Sequence, residues 1–291
     1  MAQPAKVPSG MHIVITGGAR GIGLATAKAF AAAGARVAIG DIDDELATQQ
    51  AEAIGVFGHR VDVTDKSSFA KLLEAAEDAL GPVDVLVNNA GIMPLGPLPE
   101  EPDEVTSRIV SINLLGVING TKLAMDRMVP RRTGHIVNVS SAVGRVAVPH
   151  AATYSATKFA VVGLTEAVRG ELRGTGVQAS VILPAIVNTD LGSGLNGGRA
   201  STPVQPEDVA AAIVRTVRRP RFETWVPQSN YIGYRVMSML PRGVFEAVGR
   251  LSGATDILAN ADDSARADYE DRARQQSSSR SKEPHLGSRD G

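Results

Sequence analysis

Residues 12–23, HIVITGGARGIG, pass from an unbroken apolar run through a glycine-rich turn into an alanine-rich stretch, Ile22–Ala33, that Gly34 stops. A short run of β-branched residues bounded by glycines predicts a strand over His12–Thr16 buried on both faces. The alanine-rich stretch predicts a helix. Between them, Gly17 permits a sharp turn, Gly21 lets a pyrophosphate approach the backbone, and Gly23 lets the helix pack closely on the sheet. Bare N–H groups at a helix N-terminus attract such an anion. Residues 12–33 therefore read as one strand–turn–helix step of a dinucleotide-binding sheet.

The same alternation continues from Met11 to about Pro227. Further strands are expected at Arg36–Gly40, Val56–Val61, Val83–Asn88, His135–Ser140, Val177–Leu183 and Thr224–Val226. Helices are expected at Lys66–Leu80, stopped by Gly81-Pro82, and at the longer segments Asp103–Val129 and Thr153–Arg173. Strands alternating with helices imply a parallel sheet covered on both faces, an α/β doubly wound fold of Rossmann type. Residues 1–227 would form this domain, 228–260 a C-terminal helical extension, and 261–291, polar and serine-rich, a disordered tail.

Composition narrows the function classes. The 291 residues are 43% hydrophobic with a net charge of −1, enough for a large core and without the basic field that nucleic acid requires. The chain has no cysteine, which excludes disulfides, thiolate metal sites and cysteine nucleophiles. The five histidines lack metal-ligand spacing, so no metal is expected. No apolar run approaches the roughly 18 residues of a membrane span, and the first ten residues lack the apolar core of a signal peptide. A cytoplasmic protein is the expectation, with membrane association left open by the extension.

Chemistry enters at residues 154–158, YSATK. Four apart on a helix, Tyr154 and Lys158 share a face, so an ammonium can favour ionisation of a phenol whose ordinary pKa is about 10. Ser141, thirteen positions earlier, offers a hydroxyl to a substrate oxygen, and its neighbour Ser140 must point to the opposite face of the strand. Asp41, at the end of the second strand, can accept hydrogen bonds from ribose hydroxyls and would repel a 2′-phosphate. That favours NAD over NADP, although Arg20 in the glycine turn keeps NADP open.

Taken in order, Thr16-Gly-Gly-Ala-Arg-Gly-Ile-Gly23, Asn88-Asn-Ala-Gly91, Asn113, Ser141, Tyr154, Lys158 and Pro184-Ala-Ile-Val-Asn-Thr189 resemble the short-chain dehydrogenase/reductase family over Met11 to Pro227. The resemblance implies catalytic roles for Asn113, Ser141, Tyr154 and Lys158. It implies cofactor contacts at Gly17, Arg20, Gly21, Ile22, Gly23, Asp41, Asp62, Val63, Asn89, Ala90, Gly91, Tyr154, Lys158, Pro184, Val187 and Thr189. Asp62 would reach the adenine, Lys158 the nicotinamide ribose, and Asn113 a water in a proton relay. Ala185 replaces the more usual glycine.

The substrate is the least legible part. Val143, Val146, Val148, Leu191 and Leu195 suggest an apolar pocket, hence a hydrophobic secondary alcohol or ketone such as a steroid or lipid. Residues 186–206, rich in Gly, Ser, Thr and Asn, read as a lid. Two short amphipathic helices within 231–251 could cover the pocket, meet another subunit or lie on a membrane. The family resemblance implies a homodimer or homotetramer. A nucleotide-binding regulatory module without turnover is the competing class.

Overall fold

The computed structural model describes residues 10–195, 203–241, 243–244, 247, 258 and 261–275. Seven strands form one parallel sheet in the order β3-β2-β1-β4-β5-β6-β7. They are β1 His12–Thr16, β2 Arg36–Asp41, β3 Phe57–Arg60, β4 Val85–Asn88, β5 Gly134–Val139, β6 Val177–Pro184 and β7 Glu223–Val226. All seven lie where the sequence places them, within two residues at each end. β1 pairs with both β2 and β4. The chain thus changes winding direction there, and the loops after β1 and β4 diverge to leave a crevice at the carboxyl edge.

The period of two along β1 divides its side chains between two cores. Ile13 and Ile15 pack with Phe30 of α1 (Gly21–Ala32) and Ile213 of α7 (Pro206–Arg218). Val14 faces the other way, packing with Phe69 of α3 (Lys66–Leu80) and Leu123 of α5 (Gly116–Arg131). Both phenylalanines are fully buried, so truncating either to alanine would cost about 3–5 kcal/mol.

Local signals explain the helix boundaries. Asp43 caps α2 (Asp44–Ile54) by accepting from Leu46 N, and Asp65 caps α3 by accepting from Ser67 N. At the start of α7, Asp208 accepts from Gln205 N at 3.1 Å, and Pro206 occupies the first turn, where its missing N–H is harmless. α6 covers Ala152–Glu171.

The segment expected as one helix over Asp103–Val129 is interrupted. α4 (Asp103–Val110) passes through a π-helical turn, Ser111–Leu115, before α5 begins. Such a turn carries an extra residue and re-aims side chains. Here it brings Asn113, fully buried, against the loop after β4.

After β7 come α8 (Ser229–Met237) and, following a part of the extension outside the described residues, α9 (Asp263–Gln275). The second amphipathic helix expected within 231–251 falls largely outside the described residues. α9 corrects the expectation of a disordered tail from residue 261. Its sequence lacks an apolar stripe, yet it docks through Arg266, 1% exposed, whose guanidinium is saturated by hydrogen bonds. Composition counts an arginine as surface, whereas its paired guanidinium and apolar stem can anchor a helix. Residues 276–291 lie outside the described residues.

Candidate active site

A cleft of about 1550 Å³ opens along the carboxyl edge of the sheet, larger than the roughly 300–1,000 Å³ of a single drug-sized ligand site. One end is built on the glycine turn. Gly17 has φ +62°, in the left-handed region, and a Cβ on Gly23 would stand 2.0 Å from Gly17 O. The turn therefore requires glycine at both positions. Asn89 fastens it to β4, its side-chain amide donating to Thr16 O and Gly17 O, each at 3.0 Å. Asn89 also lines the cleft beside the turn.

Asp41 is buried at the edge of this end. Its carboxylate accepts from Ala19 N at 3.1 Å and Asp43 N at 3.3 Å, and burial raises its pKa despite these bonds. Arg20 is paired with Asp43. Its charge is thus met by a carboxylate of the protein, which weakens the sequence argument for a 2′-phosphate there. Asp62 accepts from Thr64 N at 2.9 Å and Thr64 Oγ1 at 2.6 Å, and Val63 packs beside it in the second core. Ile22, Ala90, Gly91, Pro184, Val187 and Thr189 also line the cleft.

At the other end, Ser141, Tyr154 and Lys158 converge. Lys158 Nζ donates to Val139 O at 3.1 Å and lies 5.5 Å from the centroid of the Tyr154 ring. Burial pushes the Lys158 ammonium down to about 8 and the Tyr154 phenol up to about 12, the neighbouring Ser141 hydroxyl pulling the phenol back down. In the protein alone, burial therefore outweighs the expected stabilisation of the phenolate by Lys158. Ser140, as the pleat requires, points away and donates to Lys158 O at 2.8 Å.

Asn113 is drawn to the same end. Its amide donates to Ile92 O and accepts from Ile92 N, both at 2.8 Å. A Cβ on Gly91 would stand 3.2 Å from Asn113 Oδ1 and 3.5 Å from Lys158 Nζ, so the cleft is tight at this junction.

The sequence does not reveal that Tyr269, Arg272 and Ala273 of α9 also border the cleft. The signal available was a lone tyrosine at helical spacing from Arg266 and Ala273. α8 closes another side, where Tyr234 stacks on Trp225 with centroids 5.2 Å apart. Among the described residues no cluster of three or more His, Asp or Glu could hold a metal, and no helix is long and apolar enough to cross a membrane.

A seven-stranded Rossmann-type sheet with a Tyr/Lys pair and a serine in its cleft defines a class, and comparison with known proteins agrees. The family model of the short chain dehydrogenases matches residues 11–199, and the chain belongs to that family of oxidoreductases. It is 39% identical over 215 residues to cis-4-hydroxycyclohexanecarboxylate dehydrogenase of Sinomonas cyclohexanicum, covering 69% of this chain and 86% of that one. It is 38% identical over 205 residues to the inactive 2-(S)-hydroxypropyl-CoM dehydrogenase 2 of Xanthobacter autotrophicus, covering 65% and 89%. The crystal structure of a short chain dehydrogenase/reductase from Burkholderia phymatum in complex with NAD superposes with a TM-score of 0.73 at 27% identity, covering 79% and 94%.

Proposed function

We propose that the protein is an NAD(H)-dependent oxidoreductase interconverting a hydrophobic secondary alcohol, steroid- or lipid-like, and its ketone. The convergence of Ser141, Tyr154 and Lys158 in an apolar-walled cleft is the observation that carries this function. The NAD-bound structural neighbour supports the cofactor, as do Asp41 at the far end and an Arg20 already engaged by Asp43.

The residues present fit a dinucleotide. The glycine turn would hold its pyrophosphate, Asp41 the adenosine ribose, Asp62 and Val63 the adenine, and Ala90, Gly91, Pro184, Val187 and Thr189 the nicotinamide end. When bound, the nicotinamide would supply the hydride acceptor for the carbinol carbon, or the hydride donor for the ketone. In oxidation Tyr154 takes the hydroxyl proton, and in reduction it gives one back. Ser141 hydrogen-bonds the substrate oxygen. Lys158 lowers the phenol's affinity for its proton and orients the ribose. Because the Asn113 amide is spent on Ile92, Asn113 acts by positioning the loop and the backbone of the π-helical turn that would hold a relay water.

In the same proposal residues 1–227 form the catalytic domain and the extension covers the substrate. Its outward face carries Ile232 and Met239, 65% and 77% exposed, which suit a subunit or membrane contact. Sizing under native conditions checks for the homodimer or homotetramer. Flotation with liposomes, intact against truncated before Tyr231, checks for the membrane, and equal flotation counts against it.

The first experiment compares NAD- and NADP-linked oxidation of hydrophobic secondary alcohols by the parent and Tyr154→Phe. The expected result is NAD-linked turnover that falls by a factor of about 10²–10⁴ in the variant. Unchanged turnover would remove Tyr154 from the chemistry, an NADP preference would favour a second reading, an NADP-dependent carbonyl reductase, and NADH binding without turnover of any alcohol would favour a regulatory module.

A further inference from the structure

α9 lies beyond the matched residues 11–199, yet it completes the substrate end of the cleft. Arg266 fixes it there. Its guanidinium donates to Leu191 O at 3.0 Å and Ser193 O at 2.9 Å on the segment after β6, and to Met93 O at 2.9 Å on the loop after β4. It also pairs with Glu270 at 3.1 Å and sits 5.0 Å from the centroid of the Tyr269 ring. Both edges of the pocket mouth are thereby tied to one helix.

Tyr269 is held on this frame at two points, its ring beneath Arg266 and its hydroxyl accepting from Met93 N at 2.7 Å. Met93 belongs to the same buried apolar cluster as Tyr154. A phenol oxygen that accepts from a backbone amide still carries its own proton to donate. Burial raises the Tyr269 pKa, with Tyr154 close enough to add to the rise, so the proton stays in place at neutral pH.

Resting on the oxidoreductase proposed above, we infer that Tyr269 is a substrate-positioning residue, donating a hydrogen bond from its phenol to a second polar acceptor on the alcohol, away from the reacting carbon. The substrate class is accordingly narrowed from a plain hydrocarbon alcohol to a hydrophobic alcohol bearing an ether, carbonyl, hydroxyl or carboxylate acceptor. A pocket built around a donor discriminates against an analogue that leaves the donor unpaired.

The test uses near-isosteric pairs, 3- and 4-methoxycyclohexanol against 3- and 4-ethylcyclohexanol, with the parent and Tyr269→Phe. Phenylalanine keeps the ring under Arg266 and removes only the hydroxyl. The expected result is a KM lower for a methoxy alcohol than for its ethyl partner in the parent. In the variant that KM should rise roughly 3- to 10-fold, the scale of one hydrogen bond. kcat, NADH affinity and the ethyl alcohols' KM should stay within about twofold. Equal losses on both members of a pair, loss of NADH binding, or no preference in the parent would each make Tyr269 merely structural and overturn the inference. If the parent oxidises none of the four yet oxidises other hydrophobic secondary alcohols with NAD or NADP, the inference fails and the oxidoreductase proposal stands; if it oxidises no secondary alcohol at all, both fail.

Discussion

Lys158 donates to the carbonyl of Val139 while standing over the ring of Tyr154, so a single ammonium joins the end of β5 to the phenol on α6. In the protein alone burial holds this phenol near 12 and the ammonium near 8. Tyr154 becomes a base only when a cation beside it offsets that burial. Replacing Lys158 with alanine should lower alcohol oxidation at pH 7 at least a hundredfold and displace the rising limb of the pH profile upward. A kcat/KM profile between pH 6 and 10 checks both.

The Arg20–Asp43 ion pair makes cofactor choice a two-residue matter. Asp41→Ser removes the carboxylate that would oppose a 2′-phosphate, and adding Asp43→Asn releases Arg20 while keeping a side chain able to cap α2. The NADPH-to-NADH affinity ratio should rise at least tenfold in the first variant and further in the double variant. Fluorescence titration with each reduced dinucleotide measures it.

His135 provides an acid-stability prediction independent of catalysis. It is buried, with its Nε2 2.8 Å from Ser180 Oγ, and burial, reinforced by Arg169, holds its pKa down to about 4, below the usual 6.5. The unfolded chain therefore takes up the proton first as pH falls. The stability due to neutral His135 is complete above about pH 6.5 and is lost progressively down to pH 4, to a total of about 3 kcal/mol. Urea unfolding at pH 7.5 and 4.5 should show a smaller acid loss in His135→Gln than in the parent.

Arg266→Met should undock α9 while sparing the nucleotide end. Removing one member of a buried ion pair costs about 3–5 kcal/mol, and here three backbone carbonyls lose their donor as well. Hydrogen exchange should accelerate in residues 263–275 and 191–195, with NADH affinity unchanged within about twofold.

The strands were legible because each is a short apolar run closed by a turn residue, and parallel strands buried on both faces need little else. The Tyr154–Lys158 pair was legible because helix geometry converts four positions into one face. The pleat says only that Ser140 and Ser141 face opposite ways, and the spacing of Ser141 to Tyr154 chose between them; Ser140 does turn to Lys158 O. The π-helical turn at Ser111–Leu115 was not legible, since its cause is a tertiary demand, the pairing of Asn113 with Ile92. α9 escaped for a related reason: what holds it is an arginine with carbonyl partners far along the chain, and no local pattern records them.

The bonds from Met93 and Leu95 to residues 266–270 span 173 to 176 positions, whereas Asn89 reaches the glycine turn across 72 and 73. Long closures cost more chain entropy and form late. The nucleotide half can therefore be assembled while the alcohol half still lacks a wall. Substitutions in the last helix would therefore retune which alcohol is admitted and leave the grip on the dinucleotide unchanged.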